Sequence, residues 1–193
     1  MGRASRWRVV VVDAHEPSRA ALRAAVAAAG GEIVGETARV ADGRALVETQ
    51  HPDVAVVAVG LPDGDGVALV PTAAAAGCAV VLHGGHRDEA LLARARAAGV
   101  MAWLGKPLRA EDVPPTLDLA VARFAEVRAL RSRLEARKLI ERAKGALMRR
   151  YRLDEDEAFR RLRRAAMDSR RPMVEVARAV LRSEAPPPPL ATR

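Results

Sequence analysis

The sequence predicts an α/β fold, a doubly wound five-stranded parallel sheet, followed by one long helix and a small all-α unit. Up to Ala110, short apolar runs alternate with Ala- and Leu-rich stretches at helical spacing. Continuously apolar strands separated by helices are typical of a parallel sheet that is covered on both faces. Beyond Glu111 the apolar residues recur every three or four positions, which is the spacing of a helix.

Five strands and four helices are predicted in the front part of the chain. The strands are residues 8–13, 32–37, 54–59, 79–83 and 100–104, and the helices are residues 18–29, 41–50, 66–76 and 88–98. In a doubly wound sheet, functional sites form where loops leave the carboxyl ends of the strands. Here those positions are Asp13, Ala58, Gly84 and Lys106.

The long helix is marked by one apolar stripe. Its members are Leu117, Val121, Phe124, Val127, Leu130, Leu134, Ile140, Ala143 and Leu147. We expect the helix to end at residues 150–152. A helix of this length cannot bury its whole apolar stripe against a small domain. We therefore expect the remaining apolar residues to form the seam of a coiled-coil dimer. The alternative is that the stripe is covered within one chain.

Two shorter helices are predicted to follow the long one. Asp154 and Glu157 have the spacing of a capping box, which starts a helix from residue 155 to about residue 167. Pro172 can open a last helix that runs to about residue 182. The proline-rich residues 185–193 are predicted to be an extended or disordered tail.

The charge is divided unevenly along the chain. Residues 1–119 carry 12 Lys and Arg against 14 Asp and Glu, a net charge of −2, whereas residues 120–193 carry 20 against 10, a net charge of +10. Together they give the formal net charge of +8. Such asymmetry points to a polyanionic partner for the back half. The alternative is a basic but merely solvated helical surface.

Several function classes are disfavoured. The single cysteine, Cys78, can form no internal disulfide and no cysteine-based metal site, which fits a reducing cytoplasm. The valine run near the N-terminus is too short for a signal peptide or a membrane span. We expect no metal, since His83 and His86 lack a flanking helical glutamate. We expect no cofactor, no catalytic residues and no enzymatic activity, but a cytoplasmic protein.

Four motifs of the front part resemble the receiver domains of two-component response regulators, over roughly residues 8–120. The motifs are VVVVDAHEP, PDVAVVAVGLPDGDG, VVLHGGH and AWLGKP. The resemblance implies a carboxylate pair that holds Mg²⁺, an aspartate that accepts a phosphoryl group, a Ser or Thr that reads it and a lysine that stabilises it. Phosphoryl transfer needs the metal and the fixed cations to neutralise developing charge.

This chain departs from the receiver pattern at three of those positions. The carboxylate pair is reduced to Asp13 followed by Ala14, the acceptor position is Ala58, and the Ser/Thr position is Gly84. Asp13 and Lys106 remain, and we expect them to pair with each other. The nearby Asp63 and Asp65 are displaced from the acceptor position, and we do not expect either to replace it. We interpret Asp13, Ala58, Gly84 and Lys106 as a receiver remnant, with Trp103 before the lysine as a packing residue or part of an interaction face.

The segment from Leu130 to Val180 resembles an ANTAR domain, the RNA-binding output of certain transcription antiterminators. The run Ile140-Glu141-Arg142-Ala143-Lys144-Gly145-Ala146-Leu147-Met148 carries the resemblance, followed by Ala158, Leu162, Ala165-Ala166-Met167 and Val176-Ala177. The resemblance implies a three-helix unit on a coiled-coil stem that binds tandem RNA hairpins with short loops. It further implies a regulator that favours an antiterminated transcript.

Residues of the back half supply a plausible RNA surface. Ala143, Gly145 and Ala146 have little or no side chain, so RNA can approach the helix there, and Lys144 projects from among them. Tyr151 is a candidate to stack on a base, with packing against the next helix as its alternative. The predicted RNA-binding residues are Arg137, Lys138, Arg142, Ala143, Lys144, Gly145, Met148, Arg149, Arg161, Arg164 and Arg170.

The predicted organisation is a receiver-like domain (1–118), a helical coiled-coil linker (119–136), an ANTAR RNA-binding domain (137–184) and the tail (185–193). The predicted partners are stem-loops in transcripts, a second copy of the chain through the linker, and a sensor protein or ligand at the receiver-like domain, but no membrane. Two alternatives remain open, a DNA-binding response regulator and a pure signalling or interaction protein.

Overall fold

The computed structural model describes residues 6–85 and 88–183. The chain divides into two compact units, residues 1–126 and residues 127–193. Among the described residues, no helix is both long enough and apolar enough to cross a membrane.

The first unit is built on a five-stranded parallel sheet. The main strands are β1 (Arg8–Val12), β2 (Glu32–Thr37), β3 (Val54–Ala58), β6 (Ala79–Gly84) and β7 (Ala102–Gly105), in the order β2-β1-β3-β6-β7. The helices between them are α1 (Glu16–Ala28), α2 (Val40–Gln50), α3 (Val70–Ala76) and α4 (Glu89–Ala98). The predicted doubly wound α/β fold is confirmed.

Two details of the loop after β3 differ from the prediction. A short antiparallel hairpin that was not predicted, β4 (Gly60–Leu61) and β5 (Gly64–Asp65), lies between the strand and the helix predicted on either side of it. The helix predicted at residues 66–76 begins instead as a 3₁₀ turn, Gly66–Leu69, before α3. Asp65 caps the 3₁₀ turn by accepting a hydrogen bond from the Val67 amide. A side chain at Gly66 would overlap the Ala58 carbonyl oxygen, so the chain needs glycine at this point.

The sheet is buried on both faces because successive valines of a strand point to opposite sides. On one side, Val9 and Val11 join a core cluster with Leu22 of α1 and with the start of the long helix. On the other side, Val10 and Val12 join a cluster with helices α2 and α3. This two-sided burial explains why the strands read as unbroken apolar runs.

Helix α5 runs without a break from Val113 to Tyr151, 39 residues, which corresponds to about 58 Å. Leu117 is fully buried in the first core cluster, and Phe124 packs against it. Leu130 and Leu134, by contrast, are 51% and 59% exposed. The predicted stripe is therefore not one face: at about 100° per residue, the 13 positions from Leu117 to Leu130 leave these side chains roughly 140° apart.

The second unit consists of the C-terminal part of α5 with α6 (Glu155–Ser169) and α7 (Met173–Arg182). Its core is Ala143, Leu147, Ala158, Leu162 and Ala177. The helices start and end close to the predicted positions. The predicted tail at residues 185–193 lies outside the described residues.

Only half of the predicted capping box forms at the start of α6. The Asp154 carboxylate accepts a hydrogen bond from the Glu157 amide at 2.7 Å. The Glu157 side chain pairs with Arg160 at 2.7 Å. The helix start is thus stabilised by Asp154 and by the acidic first turn near the positive end of the helix dipole.

Candidate functional site

Three neighbouring strands of the first unit end side by side at the carboxyl edge of the sheet. Val12 of β1 is paired with Val57 of β3, and the next residue of β3, Ala58, is paired with His83 of β6. Asp13, Ala58 and His83 therefore lie in a row across β1, β3 and β6. Ala58 occupies the middle position, and its methyl group offers no reactive atom.

Asp13 is the centre of a buried ionic cluster. Its carboxylate accepts hydrogen bonds from Lys106 Nζ at 2.7 Å, from the His15 amide at 2.9 Å and from His83 Nδ1 at 3.2 Å. Burial alone would raise the pKa of Asp13, but the hydrogen bonds from His83, Lys106 and the His15 amide outweigh it and hold the pKa well below its usual value. Asp13 is ionised at neutral pH and already neutralised by its neighbours.

His83 is the residue of this cluster that the sequence pattern did not single out as a site residue. Its side chain is almost completely buried, and its Nδ1 reaches Asp13 across the position of Ala58. This reach is possible because Ala58 has only a methyl group there. Within the described residues, His83 Nε2 has no hydrogen-bond partner. A histidine in the otherwise apolar strand AVVLHG was the available signal, because a buried polar side chain needs a partner.

Gly84 and Trp103 fit closely against each other. The indole Nε1 of Trp103 donates a hydrogen bond to the Gly84 carbonyl at 2.9 Å. A Cβ atom at Gly84 would lie 2.9 Å from Val59 Cγ2 and 3.1 Å from Trp103 Cζ2, so a larger residue requires these side chains to move. Trp103 packs against the second core cluster.

The residues at this edge do not fit Mg²⁺. A magnesium ion prefers carboxylate and water oxygens in octahedral arrangement, usually with one or two free carboxylates. Here Ala14 and Ala58 supply none, and the Asp13 carboxylate is occupied by Lys106 and His83. No group of three or more His, Cys, Asp or Glu side chains suited to a metal occurs in the described part of the chain. His86 lies outside the described residues.

The two aspartates near the acceptor position have structural roles. Asp63 accepts hydrogen bonds from the Val40 and Ala41 amides at 2.8 and 3.1 Å, at the start of α2. These amides lower the pKa of the Asp63 carboxyl. Asp65 caps the 3₁₀ turn and forms an ion pair with Arg94.

A cavity of about 380 Å³ opens beside this cluster. Ala58, His83, Gly84 and Lys106 contribute to its wall, together with Asp88 and Leu91 near the start of α4. It is the place at the sheet edge where a small ligand could contact the Lys106 ammonium group.

The second unit carries a basic face on α5. Lys138, Arg142, Gly145 and Arg149 follow the spacing i, i+4, i+7 and i+11, which places them on one side of the helix. Lys138, Arg142 and Arg149 are exposed. We call these four residues the basic face. Gly145 is partly exposed, and a Cβ atom added there would meet only the end of the Arg149 side chain, at 3.5 Å.

Two of the small residues predicted to admit RNA are instead core residues. Ala143 is fully buried and Ala146 is 3% exposed. Ala143 belongs to the core cluster of α5, α6 and α7. Ala143 is therefore wrongly assigned as an RNA-contacting residue: its small size lets helices pack closely. Of the three small residues, Gly145 is the one on the basic face.

The sequence suggested that the Lys144 side chain projects freely from α5, but in the structure it does not. Its side chain is only 11% exposed, and Nζ lies 2.8 Å from Glu141 and 2.6 Å from Glu155. The hydrogen bonds from Lys144 to these carboxylates raise the pKa of the lysine. Since Glu155 belongs to α6, Lys144 ties two helices together, and any RNA phosphate has to compete with two carboxylates for it.

The remaining predicted RNA-binding residues lie in different settings. Arg164 and Arg170 are exposed, and neither has a carboxylate partner among the described residues. Arg161 is exposed and lies 3.7 Å from Glu157. Arg137 is also exposed. Its neighbour in the sequence, Lys138, pairs with Glu135. Met148 is half-buried and packs against the core of the unit, so a packing role is the alternative to its predicted role in contacting RNA.

Exposed apolar side chains also occur on this unit. Tyr151 is 48% exposed, and the guanidinium carbons of Arg150 and Arg161 lie 5.5 and 5.4 Å from its ring centroid. Phe159 and Met167, on α6, are exposed as well. The exposure of Phe159 was not predicted, because nothing in its spacing placed it outside the core.

Comparison with known proteins agrees with the two-part organisation. The family model of the response regulator receiver domain matches residues 9–118, and that of the ANTAR domain matches residues 128–181. The transcriptional regulatory protein PdtaR of Mycobacterium tuberculosis is 37% identical over 182 residues, covering 90% of this chain and 89% of that protein. The nitrate regulatory protein of Klebsiella oxytoca is 46% identical over 56 residues, which cover 29% of this chain and 14% of that protein.

Solved structures of receiver domains match about three fifths of the chain. A signal receiver domain of the response regulator NarL from Mycobacterium tuberculosis has a TM-score of 0.56 at 27% identity, covering 60% of this chain and 97% of that one. A CheY-like receiver domain from Methanospirillum hungatei has the same TM-score at 19% identity, with 62% and 96% covered. The chain belongs to the response regulators in which a receiver domain is followed by an ANTAR domain.

Proposed function

We propose that this protein is an RNA-binding transcription antitermination regulator that binds hairpin RNA in nascent transcripts through its second unit. The observation that carries the proposal is the basic face of α5, where exposed Lys138, Arg142 and Arg149 surround the partly exposed Gly145. Lysine and arginine side chains bind the phosphate backbone, and a bare glycine lets a strand of nucleic acid come close. The net charge of +10 over residues 120–193 supports the same partner.

The proposed organisation is the receiver-like domain at residues 1–118, the helical linker at 119–136 and the RNA-binding domain at 137–184. We further propose that two copies associate through the linker, which would present two RNA-binding units to tandem hairpins. Exposed Leu130 and Leu134 support this association, because leucines on a charged helix are stabilised when a second helix covers them.

The receiver-like domain is proposed to act without aspartyl phosphorylation. Ala58 supplies no acceptor oxygen, and Lys106 is engaged by Asp13. Its input would be a sensor protein or a small ligand at the cavity beside Lys106. Incubation with acetyl phosphate followed by intact-protein mass spectrometry should show no added phosphoryl group, and a phosphorylated aspartate would contradict this part of the proposal.

Removing two cations of the basic face tests RNA binding directly. The double substitution Arg142→Ala and Arg149→Ala should weaken hairpin binding and lower the slope of log affinity against log salt by about 1 for each phosphate that is no longer bound. Mobility-shift titrations between about 50 and 200 mM salt measure both quantities. Wild-type affinity should fall at least about tenfold over that range.

Arg123→Ala is the matched control for this test. Arg123 is exposed on the same helix α5, but it belongs to the first unit and lies 19 positions before Arg142 in the sequence. The control should leave affinity and salt slope unchanged. A wild-type protein that binds no hairpin at low salt, or a double variant that binds like wild type, would contradict the proposed surface.

A separate test is needed to decide whether Lys144 contacts RNA phosphate or only links α5 to α6. Lys144→Ala should weaken hairpin binding substantially while the fold is kept. If Lys144 contacts phosphate, Glu155→Gln removes a competing carboxylate and should leave binding unchanged or tighter. If Lys144 only ties α5 to α6, both variants should weaken binding to a similar extent, and the contact is refuted.

The alternative of a DNA-binding response regulator has less support. A helix–turn–helix reader needs a recognition helix that exposes polar side chains to the major groove. The last helix, α7, turns Ala177 into the core, with Val176 and Val180 packed against it. Competition between hairpin RNA and duplex DNA of equal length decides between the two, since the DNA alternative requires the duplex to displace the RNA.

A further inference from the structure

We propose that Tyr151, together with Arg150 and Arg161, forms a stacking subsite for one unpaired base of an RNA hairpin loop. The inference rests on the proposed RNA binding and adds to it the part of the RNA that this corner of the second unit would recognise. It concerns a different side of α5 from the basic face, because Tyr151 lies two positions, or about 200°, beyond Arg149.

The geometry of the ring carries the inference. About half of the Tyr151 side chain is exposed although the residue sits at the junction of α5 and α6. The guanidinium carbons of Arg150, on α5, and Arg161, on α6, lie 5.5 and 5.4 Å from the ring centroid, within the range of cation–π attraction. Arg150 also donates a long hydrogen bond to the Ser183 carbonyl, at 3.5 Å. The aromatic ring is thus held in place by groups from two helices while it remains open to solvent.

The Tyr151 ring lies on the same side of α5 as Lys144. Arg137, Lys144 and Tyr151 recur at intervals of seven residues, so they lie along one side of α5. Two helical turns, about 10 Å along the axis, separate Lys144 from Tyr151. A nucleotide stacked on Tyr151 would have its own phosphate close to Arg150 or Arg161 and its neighbours' phosphates on the side of Lys144.

The chemistry of the three groups selects an unpaired base. Bases of single-stranded loops stack on aromatic rings and on guanidinium planes, whereas the faces of paired bases are covered by their neighbours in the stem. An aromatic ring flanked by two arginines offers a stacking surface and phosphate donors in one place. The subsite would therefore distinguish a looped hairpin from a fully paired stem of equal charge.

Phe159 provides a matched control on the same unit. It is 41% exposed, close to the exposure of Tyr151, but it lies two residues before Arg161 and hence about 200° around α6 from that arginine. Phe159→Leu and Tyr151→Leu remove aromatic rings of similar size and exposure. Only the second removes the proposed stacking surface.

The experiment compares binding of the full-length variants to two RNA probes. One is a hairpin pool with a fixed stem and a randomised loop, and the other is a blunt duplex that contains the same stem and is lengthened to carry the same number of phosphates. Tyr151→Leu should bind the hairpin pool about tenfold more weakly than wild type and the duplex with unchanged affinity. Tyr151→Phe, which keeps the ring, and Phe159→Leu should both behave as wild type on both probes.

A second readout reports stacking itself. In the tightest-binding hairpin of the pool, 2-aminopurine replaces one loop base at a time, and quenching of its fluorescence on binding should occur at one position and be lost with Tyr151→Leu. Equal hairpin affinity for wild type and Tyr151→Leu, or loss of duplex affinity in parallel, would overturn the stacking subsite while leaving RNA binding intact. Failure of the wild-type protein to bind any hairpin would overturn RNA binding itself and the subsite with it.

Discussion

At the scale of single residues, the cluster around Asp13 keeps a charged carboxylate inside the first unit. Lys106 Nζ, the His15 amide and His83 Nδ1 donate hydrogen bonds to that carboxylate. A buried charge is tolerated only when such partners compensate for the loss of water, so the stability of this unit depends on the cluster.

Breaking this cluster should destabilise the first unit. Lys106→Met leaves the buried Asp13 carboxylate with one fewer charged partner, at a cost of about 1–3 kcal/mol in unfolding free energy. Urea denaturation followed by tryptophan fluorescence reports on it, since Trp7 and Trp103 both belong to this unit. Arg109→Met, which breaks an exposed pair with Glu111 in the same unit, is the control and should leave the unfolding free energy nearly unchanged.

The coupling within the pair can be isolated by a double-mutant cycle. Adding Asp13→Asn to Lys106→Met should cost less than the sum of the two single substitutions, since neither side chain is then left with an unmatched charge. Additive effects would show that the two groups do not stabilise each other.

The depressed pKa of Asp13 also predicts a pH dependence. The unfolded chain, in which Asp13 has its ordinary pKa of 3.8, takes up a proton before the folded protein does as the pH falls. The stabilisation is therefore complete above that pKa and is lost as the pH falls below it. The stability advantage of wild type over Asp13→Asn should be constant at about pH 6 and shrink below about pH 4; an advantage that grows in acid would reverse the assigned sign.

Part of this cluster could be predicted from the sequence. The pairing of Asp13 with Lys106 could be anticipated, because both follow strands of a parallel sheet whose carboxyl ends meet at one edge. The role of His83 could not, because it depends on the register that sets His83 beside Ala58. Register between distant strands is fixed by packing and is not visible in the pattern of a single strand.

At the scale of elements, helix α5 follows the predicted span but not the predicted faces. Spacing of apolar residues was enough to locate the helix, its end and the two helices after it. It could not show that Ala143 packs inwards while Gly145 is partly exposed, because both are small and lie two positions apart. Nor could it show that Lys144 is tied to Glu155, because the turn between α5 and α6 decides that contact.

Gly145 and Ala143 should therefore respond in opposite ways to a larger side chain. The Cβ atom added by Gly145→Ala would contact no backbone atom of another segment, and the substitution removes the conformational freedom of glycine in the unfolded chain. It should therefore raise helix stability by up to about 1 kcal/mol. The added methyl group should at the same time weaken hairpin binding. Ala143→Leu overpacks a full core and should destabilise the unit by about 1–3 kcal/mol.

Thermal unfolding followed by circular dichroism, together with hairpin titration, measures both effects. A Gly145→Ala protein that is more stable and binds RNA as well as wild type would show that close approach to the backbone is not needed.

At the scale of the whole molecule, two family resemblances read from short motifs agree with the matched families and with the observed fold. Short motifs do not predict the oligomeric state in the same way, because it depends on the surfaces that two copies of the chain bury against each other. The exposed leucines of α5 are the feature that bears on it. Leu130 and Leu134 lie about 40° apart around the helix and can enter the same seam.

Charges placed in this seam should separate the copies. Leu130→Glu with Leu134→Glu should convert a dimer to a monomer in sedimentation equilibrium and weaken binding to an RNA with two tandem hairpins more than to one with a single hairpin. Ser132→Glu, on the opposite side of the helix, is the control for added charge and should stay dimeric. A wild-type protein that is monomeric at all concentrations would contradict the association.

The close fit around Gly84 limits how an acceptor site could be engineered into the first unit. A hydroxyl side chain at position 84 would push against Val59 and Trp103. An aspartate at position 58 would set a second negative charge beside Asp13, in the path by which His83 reaches it. Each of these substitutions alone conflicts with its neighbours, so engineering phosphoryl chemistry here would require coordinated changes at several positions.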